Sequence, residues 1–360
     1  MYPTKKQSKF LLASALFALS FSACKKTEPT PAKSFETIQT EVLNDFTSKL
    51  ASPLYGDFLT KAKDLNNKVI ALCASPDATK QAEAQAAWRS VRELWEQSEG
   101  FLIGPVDDNS YDPHMDTWPT DRGEMDALLV STKPLDATSL GAYDSETQLS
   151  LRGFHPLEYL LWQSSTSYTA RQKEYMLGLA EDILNSVTKL NNDWPAFATE
   201  FKNAGQSGSR YTSKKDAYLA LADALVGICG EVAEGKMLDP FGLNATEADS
   251  SISESPYSGN SMVDFKNNII GAYNVYLCKY NSQTGTSLST LVAANNKELD
   301  QSIKTKFEAA IASFDGVSTS FEKAIYIQRP AVQNILNAIG DLKTACDGPL
   351  QTYIQTYVKN

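Results

Sequence analysis

Histidine is nearly missing from this chain: its 360 residues contain two, His114 and His155. No H-E-x-x-H motif is present, so the familiar helix with two zinc-binding imidazoles is excluded. Long apolar runs are missing as well. Beyond Phe10–Phe21, itself too short, nothing approaches the roughly 20 apolar residues that a spanning helix needs. Strict alternation of apolar and polar residues is absent, which argues against a sheet-built fold. Positive charge is also in short supply, with 33 Lys and Arg against 43 Asp and Glu and a formal charge of −10. Lys5, Lys6 and Lys9 sit in the first 23 residues, which hold no acid, so the remainder carries −13. Such a surface repels nucleic acid and anionic lipid and favours cationic partners. Cysteine is sparse and widely spaced: after Cys24 come only Cys73, Cys229, Cys278 and Cys346. That spacing excludes a zinc ribbon, and buried helix thiols are the default reading, although an oxidising compartment would permit disulfides.

The N-terminus is a targeting segment rather than part of the fold. Lys5, Lys6 and Lys9 precede the apolar stretch Phe10–Phe21, and Ser22-Ala23-Cys24 reads as a lipoprotein cleavage site with Cys24 acylated. Residues 1–23 are then the signal peptide and 24–34 a disordered tether with two prolines, Pro29 and Pro31. A soluble body on a lipid anchor follows. Lys25 and Lys26 after the anchor, with no acidic run, place it on the periplasmic side of an outer membrane.

Helical spacing dominates the rest. It predicts helices over Phe35–Leu50, Gly56–Leu72, Lys80–Phe101, Glu146–Trp162, Ala170–Leu190, Lys214–Glu234, Met262–Tyr280, Leu288–Phe314, Ser320–Ile327 and Ala331–Val358. Ser145 with Gln148 forms a capping-box pattern, and Ser261 stands three before Asp264 at another start. The polar stretch Asn203–Ser209 divides the chain into 35–205 and 206–360, so the expected class is all-α, with two helical bundles in series. Two long loops interrupt the rhythm. Gly104–Gly123 carries Asp107, Asp108, Asp112, His114, Asp116 and Asp121, and Leu238–Asn260 ends in Glu254-Ser255-Pro256-Tyr257-Ser258. Loops of this length in compact domains are functional or disordered, and their aromatic and proline content argues for order.

The stretch Gly153-Phe154-His155-Pro156-Leu157-Glu158-Tyr159-Leu160-Leu161-Trp162 puts His155 and Glu158 on one helix face, where they can share an ion or a proton. Two structural alternatives stand beside this. Pro156 in a first turn would make His155 a cap with Glu158 reaching back. Otherwise it would kink a helix that began near Glu146. On Lys80–Phe101, Trp88, Val91 and Trp95 form an apolar arc with Arg92 and Glu99 at its margin. Snorkelling of Arg92 and exposure of Glu99 is the plain alternative there. The Asp-rich loop fits no EF-hand spacing, and His114 reads as a surface residue.

The string GFHPLEYLLW resembles the GxHxxE signature of the imelysin family. Trp88 to Phe101, closing on Gly104-Pro105, is similar to that family's W-x-x-x-R-x-x-W-x-x-S-E-x-F-x-x-G-P block. Asp116-Thr117-Trp118-Pro119 resembles its D-x-W-P element, and Glu254 to Ser258 its later E-S-x-x-S block. The resemblance implies two four-helix bundles related by duplication and packed around a cleft. It also implies that Arg92 and Glu99 line the cleft, and it favours Asp116 over the other loop acids. Glu254, Ser258 and Asp264 come second, with Trp118 beside Asp116.

The family carries a metallopeptidase label, and related members are periplasmic lipoproteins associated with iron uptake. A set of His155, Glu158, Glu99 and Asp116 is rich in oxygen, which favours iron or manganese over catalytic zinc. The expected function is therefore metal binding in iron acquisition, with Arg92 orienting the carboxylates. The partners would be the ion or a metal-carrying ligand, together with iron-transport proteins. A metal-dependent peptidase using Glu158, with zinc as its metal, is the alternative, and a module for a non-metal ligand or partner is a third. Because a ligating imidazole must be neutral, binding should weaken below about pH 6.

Overall fold

Each long helix hides one apolar face, and prolines mark where the helical rods loosen. The computed structural model describes Met1, Pro3 and residues 33–359. The rest of the leader, Cys24 and the tether up to residue 32 lie outside the described residues. Helix α1 (Phe35–Asp45) runs through a widened π-type turn, Phe46–Ala51, directly into α2 (Ser52–Ala74). Two further widened stretches are Glu231–Met237 and Cys346–Leu350. Pro53, Pro240 and Pro349 sit just past or inside the three. A proline ring crowds the carbonyl four residues back, and the extra residue in a π turn relieves that clash.

α3 (Ala78–Ser98) starts where Asp77 accepts the Lys80 backbone N–H, and it ends in a tight turn, Glu99–Phe101. α4 (Phe154–Leu161) is short and strongly apolar. α5 (Ala170–Lys202) begins with a reciprocal capping box between Thr169 and Gln172. The second half holds α6 (Lys214–Gly230), α7 (Ser261–Leu277), α8 (Lys297–Ser313) and α9 (Arg329–Ala345). Among the described residues the only strands are Lys279–Tyr280 and Gln283–Thr284, a two-residue antiparallel hairpin with Lys279 opposite Thr284. The class is all-α, as expected.

α2 packs on α3 and α5, α8 on α9, and α3 on α7 across the two halves of the chain. The described residues from Ser34 onwards form one compact unit. Trp88, Val91 and Trp95 of α3 are fully buried, as the apolar arc requires. Phe46, Tyr55, Phe101 and Trp194 form an aromatic knot with ring centroids 4.9 to 6.4 Å apart, the range in which edge contacts are favourable. The α3–α7 contact depends on Gly271, where a Cβ would sit 2.2 Å from the Gln97 carbonyl oxygen. The two backbones therefore touch, and polar side chains that follow on both helices are forced into one interior space.

Several expectations change. The predicted Glu146–Trp162 helix is two pieces, Glu146–Leu149 and α4, because Gly153 between them has φ 81°. A Cβ at Gly153 would lie 2.1 Å from the Met115 carbonyl oxygen, so the break is built into the packing. Leu288–Phe314 likewise divides into Leu288–Ala293 and α8, whose N-terminus Asn296 caps. The Ser145 box does not form: its hydroxyl donates to Gln148 Oε1 (2.9 Å) and accepts no backbone N–H. Ser261 is the first residue of α7 rather than its cap, and Asn260 precedes it. Both long loops are ordered by short helices, Pro105–Asp108 and Tyr111–Asp116 in the first and Leu238–Phe241 in the second. Cys73, Cys229, Cys278 and Cys346 are all buried and free. Among the described residues no helix is long and apolar enough to cross a membrane.

Candidate metal centre

Residues three and four apart on a helix share a face, and α3 with the tight turn that ends it uses this to aim Arg92, Glu96 and Glu99 at one point. α7 answers with Asp264 and Asn268, and the Glu231–Met237 turn contributes Lys236. Asp116 closes the Tyr111–Asp116 helix, and Glu254 comes from the second long loop. α4 supplies His155 and Glu158. The tight seat of Gly153 on Met115 sets the start of α4 beside Asp116, the next residue. Pro156 does no harm there, because first-turn N–H groups have no intrahelical acceptor to lose. None of these side chains belongs to a residue more than 2% exposed.

The Arg92 guanidinium is the hub. It contacts Glu96 and Asp116, donates to Glu254 Oε1 (3.1 Å), and lies 3.7 Å from Asp264 Oδ1. The rings of Trp88 and Phe154 flank it at 5.8 and 5.1 Å. Asp116 also accepts from Trp95 Nε1 (2.6 Å), and its Oδ1 is 2.9 Å from His155 Nε2. Lys236 donates to Glu254 Oε1 (2.9 Å) and Glu99 Oε2 (3.0 Å), with Glu231 Oε1 at 3.5 Å. Asn268 donates to Glu96 Oε2 (2.7 Å) and to Glu99. Asp264 is held by Ser255 Oγ (2.6 Å) and Asn260 Nδ2 (2.7 Å). Glu158 accepts the Ser258 backbone N–H (2.7 Å), so it does not reach back to cap its own helix.

Six carboxylates, those of Glu96, Glu99, Asp116, Glu158, Glu254 and Asp264, are enclosed with two permanent cations, Arg92 and Lys236. Burying charge in such excess is costly unless protons or an ion compensate. Burial pushes Glu99 and Asp264 well above the carboxylate range, against the pull of Lys236 on one and Arg92 on the other. Burial, with Glu96 nearby, raises Glu254 too. Asp116 goes the other way: burial opposes its charge, but Arg92 and the His155 hydrogen bond hold it below the ordinary range. Burial alone would lower His155, yet its hydrogen bond to Asp116 and the Glu158 carboxylate 3.7 Å from Nδ1 lift it to about 9. Proton competition for this imidazole in the metal-free protein therefore begins near pH 9 rather than the pH 6 expected from an ordinary histidine.

Seven buried atoms of these residues have no hydrogen-bond partner among the described residues: His155 Nδ1, Glu158 Oε2, Glu99 Oε1, Glu254 Oε2, Asn268 Oδ1, Arg92 Nε and Glu96 Oε1, the last still in ion-pair contact with Arg92. Native proteins pair nearly all such atoms, so orphans gathered at one place point to a missing partner. Donor atoms converge within 4.8 Å in three sets: Asp116, His155 and Glu254; Glu96, Glu99 and Asp116; Glu96, Glu254 and Asp264. Glu158 belongs to none of the three, and its free oxygen lies 3.7 Å from His155 Nδ1.

Of the residues singled out in the sequence, Arg92, Glu99, Asp116, His155, Glu158, Glu254 and Asp264 meet here. Trp118 lies over Lys236 Nζ (5.2 Å) with its ring 6.4 Å from that of His155. Ser258 contributes its backbone N–H, not its hydroxyl. His114 is apart, beside Asp144 Oδ1 (3.1 Å), Asp121 caps the Arg122–Val130 helix, and Asp108 pairs with Arg210 (2.8 Å). Three members were missed. Glu96 and Asn268 could have been found as the residues four after Arg92 and four after Asp264. Lys236 has no comparable signal.

The imelysin family model, which bears a peptidase-family label, matches residues 51–346. The chain is 30% identical over 271 residues to "Iron-regulated protein A" of Synechococcus elongatus, covering 74% of this chain and 70% of that one. A crystal structure described as an iron-regulated protein A precursor from Parabacteroides distasonis superposes with TM-score 0.80. It is 27% identical and covers 90% of this chain and 96% of its own. An imelysin-like protein from Psychrobacter arcticum shares the fold, with TM-score 0.75 at 14% identity over 91% of this chain and 99% of its own.

Proposed function

This chain belongs to the imelysin family, and from that premise we propose that it binds a metal ion, iron before others, in the buried His155 centre, as a step in iron acquisition. The observation that carries this reading is the excess of six enclosed carboxylates over two permanent cations, with His155 Nδ1 and oxygens of Glu99, Glu158 and Glu254 among the atoms left unpaired. One imidazole among many carboxylate oxygens suits iron or manganese better than a soft or zinc-selective site. Asp116, His155 and Glu254 would hold the ion, and Glu99 and Glu96 are close enough to assist. Glu158 would act through its free oxygen beside His155 or by fixing the imidazole. Arg92 keeps Asp116 and Glu254 in place. A bound ion would supply positive charge in place of the protons that compensate the carboxylates without it. The iron-regulated relatives are consistent with this cargo.

A peptidase with Glu158 as general base is the second reading, raised by the family label. The centre's burial disfavours it, since a polypeptide must reach the metal-bound water that attacks it. Metal-dependent turnover of unfolded protein that disappears in Glu158→Gln would restore it. We further propose that Cys24 anchors the protein on the periplasmic side of the outer membrane, near iron-transport partners. Mass spectrometry of the mature N-terminus checks the acyl group.

The deciding experiment is metal titration of protein beginning at Ser34 with ferrous, ferric, manganese and zinc ions. Selective iron binding that is lost in His155→Ala/Glu158→Ala is the expected result. Binding indifferent to both substitutions would overturn the assignment and favour an organic ligand or a protein partner.

A further inference from the structure

A cavity of about 430 Å³ opens beside the end of α3 and along α6, lined among others by Glu99, Leu102, Ile103, Asp223, Gly227 and Glu231. Glu99 belongs to the buried centre and is 1% exposed, whereas the Glu231 side chain is about one-third exposed, at 34%. The cavity therefore runs from the surface at Glu231 to Glu99, the one residue of the centre in its lining. Lys236 spans the same two ends. Its ammonium holds Glu99 and Glu254 inside and lies 3.5 Å from Glu231 outside. In a π turn residues five apart stack as residues four apart do in an α-helix, and Glu231 and Lys236 are five apart on the Glu231–Met237 turn.

We propose that this cavity is the entry route for the metal ion and that Lys236 is an internal counter-ion which the entering ion displaces from Glu99 and Glu254 towards Glu231. The proposal rests on the metal-binding reading above and names how the ion reaches its site. Lys236 has four carboxylates within 4 Å, those of Glu96, Glu99, Glu231 and Glu254. One ammonium cannot satisfy four acids, but it can pass between them by side-chain rotation. Glu99 Oε1 and Glu254 Oε2 are already unpaired, and the oxygens that Lys236 now holds are the other pair. Its departure would remove the ammonium that both carboxylates share, leaving Glu254 Oε1 to Arg92 and Glu99 Oε2 to Asn268. One positive charge leaves, and two or three arrive.

Manganese titration, followed by anoxic ferrous titration, of the wild type, Lys236→Met, Glu231→Gln and the double variant tests this. Lys236→Met should bind roughly tenfold tighter or better, because the competing charge is gone. Glu231→Gln should weaken binding severalfold in the wild type, where the displaced ammonium needs Glu231, and should lose that effect in Lys236→Met. Equal or weaker binding by folded Lys236→Met overturns the proposal, as does an equal Glu231→Gln effect in both backgrounds. Where Lys236→Met is unstable alone, thermal melts decide: saturating manganese must raise its Tm more than that of the wild type, and a smaller rise overturns the proposal. Absence of His155-dependent binding in the wild type itself would instead remove the metal reading, a failure distinct from that of the exchange.

Discussion

The protein buries two arginines, and their surroundings differ in kind. Arg152 meets Asp182 through two parallel hydrogen bonds, Nε at 3.0 Å and Nη2 at 2.8 Å, and its remaining nitrogen donates to the Tyr143 carbonyl (3.0 Å). One cation faces one anion there, and neither residue has an unpaired buried atom. Arg92 faces four carboxylates in an enclosure that holds six, and orphaned oxygens and an orphaned imidazole nitrogen surround it. The first arrangement is complete and serves to hold α5 against the segment before α4. The second is incomplete by charge and by hydrogen bonding. Incompleteness of that kind is what a binding centre needs before its ligand arrives, and burial alone does not distinguish the two.

The comparison breaks first at Asp182. Asp182→Asn should cost about 3–5 kcal/mol, because it strands a buried guanidinium, and metal ions should not restore the loss. Denaturant melts with and without manganese check both parts; recovery with metal would mean that the two arginines are not different in kind.

A smaller loss should follow from Gly271→Ala. The added Cβ meets the Gln97 carbonyl, so α3 and α7 must separate at a cost of about 1–3 kcal/mol. Metal affinity should fall with stability, because Glu96 and Glu99 then draw away from Asp264 and Asn268. Unchanged affinity at lower Tm would show that α7 takes no part in holding the ion.

His155 sharpens the comparison through pH. Its folded value of about 9 exceeds the ordinary 6.5, so its contribution is complete below about pH 6.5 and fades as the pH passes 9. Stability of the metal-free wild type should fall across that window, by at most about 1.4 kcal/mol per pH unit. His155→Asn should lack this slope. Parallel profiles would remove the proton from the His155–Asp116 contact.

The smallest effect is the most telling in sign. Glu99 is held against its charge, so Glu99→Gln should leave the metal-free protein unchanged or up to about 1 kcal/mol more stable. It should nevertheless lower metal affinity by roughly tenfold or more. A destabilisation like that of Asp182→Asn would make Glu99 a structural partner of Lys236 instead.

Local pattern made much of this visible beforehand. Trp88, Val91 and Trp95 at helical spacing located α3 and its buried face, and Arg92 and Glu99 at the margin of that arc are in the centre. His155 and Glu158 do share a helix face, as their spacing requires. Element ends were less legible. The break at Gly153 depends on the Met115 backbone behind it, and the failed Ser145 box on a hydroxyl that found a side-chain acceptor instead.

The all-α class, the surplus of acid over base and the choice of a single imidazole were determined by the sequence alone, because periodicity, charge and composition are properties of the chain wherever it lies. Which acids share one enclosure was decided only in three dimensions. Arg92 and Glu254 are 162 residues apart and Lys236 and Glu99 137. They meet because glycine lets α3 and α7 touch and a widened turn brings Lys236 inward. Contacts at that separation depend on how faces pack, and no local spacing records it.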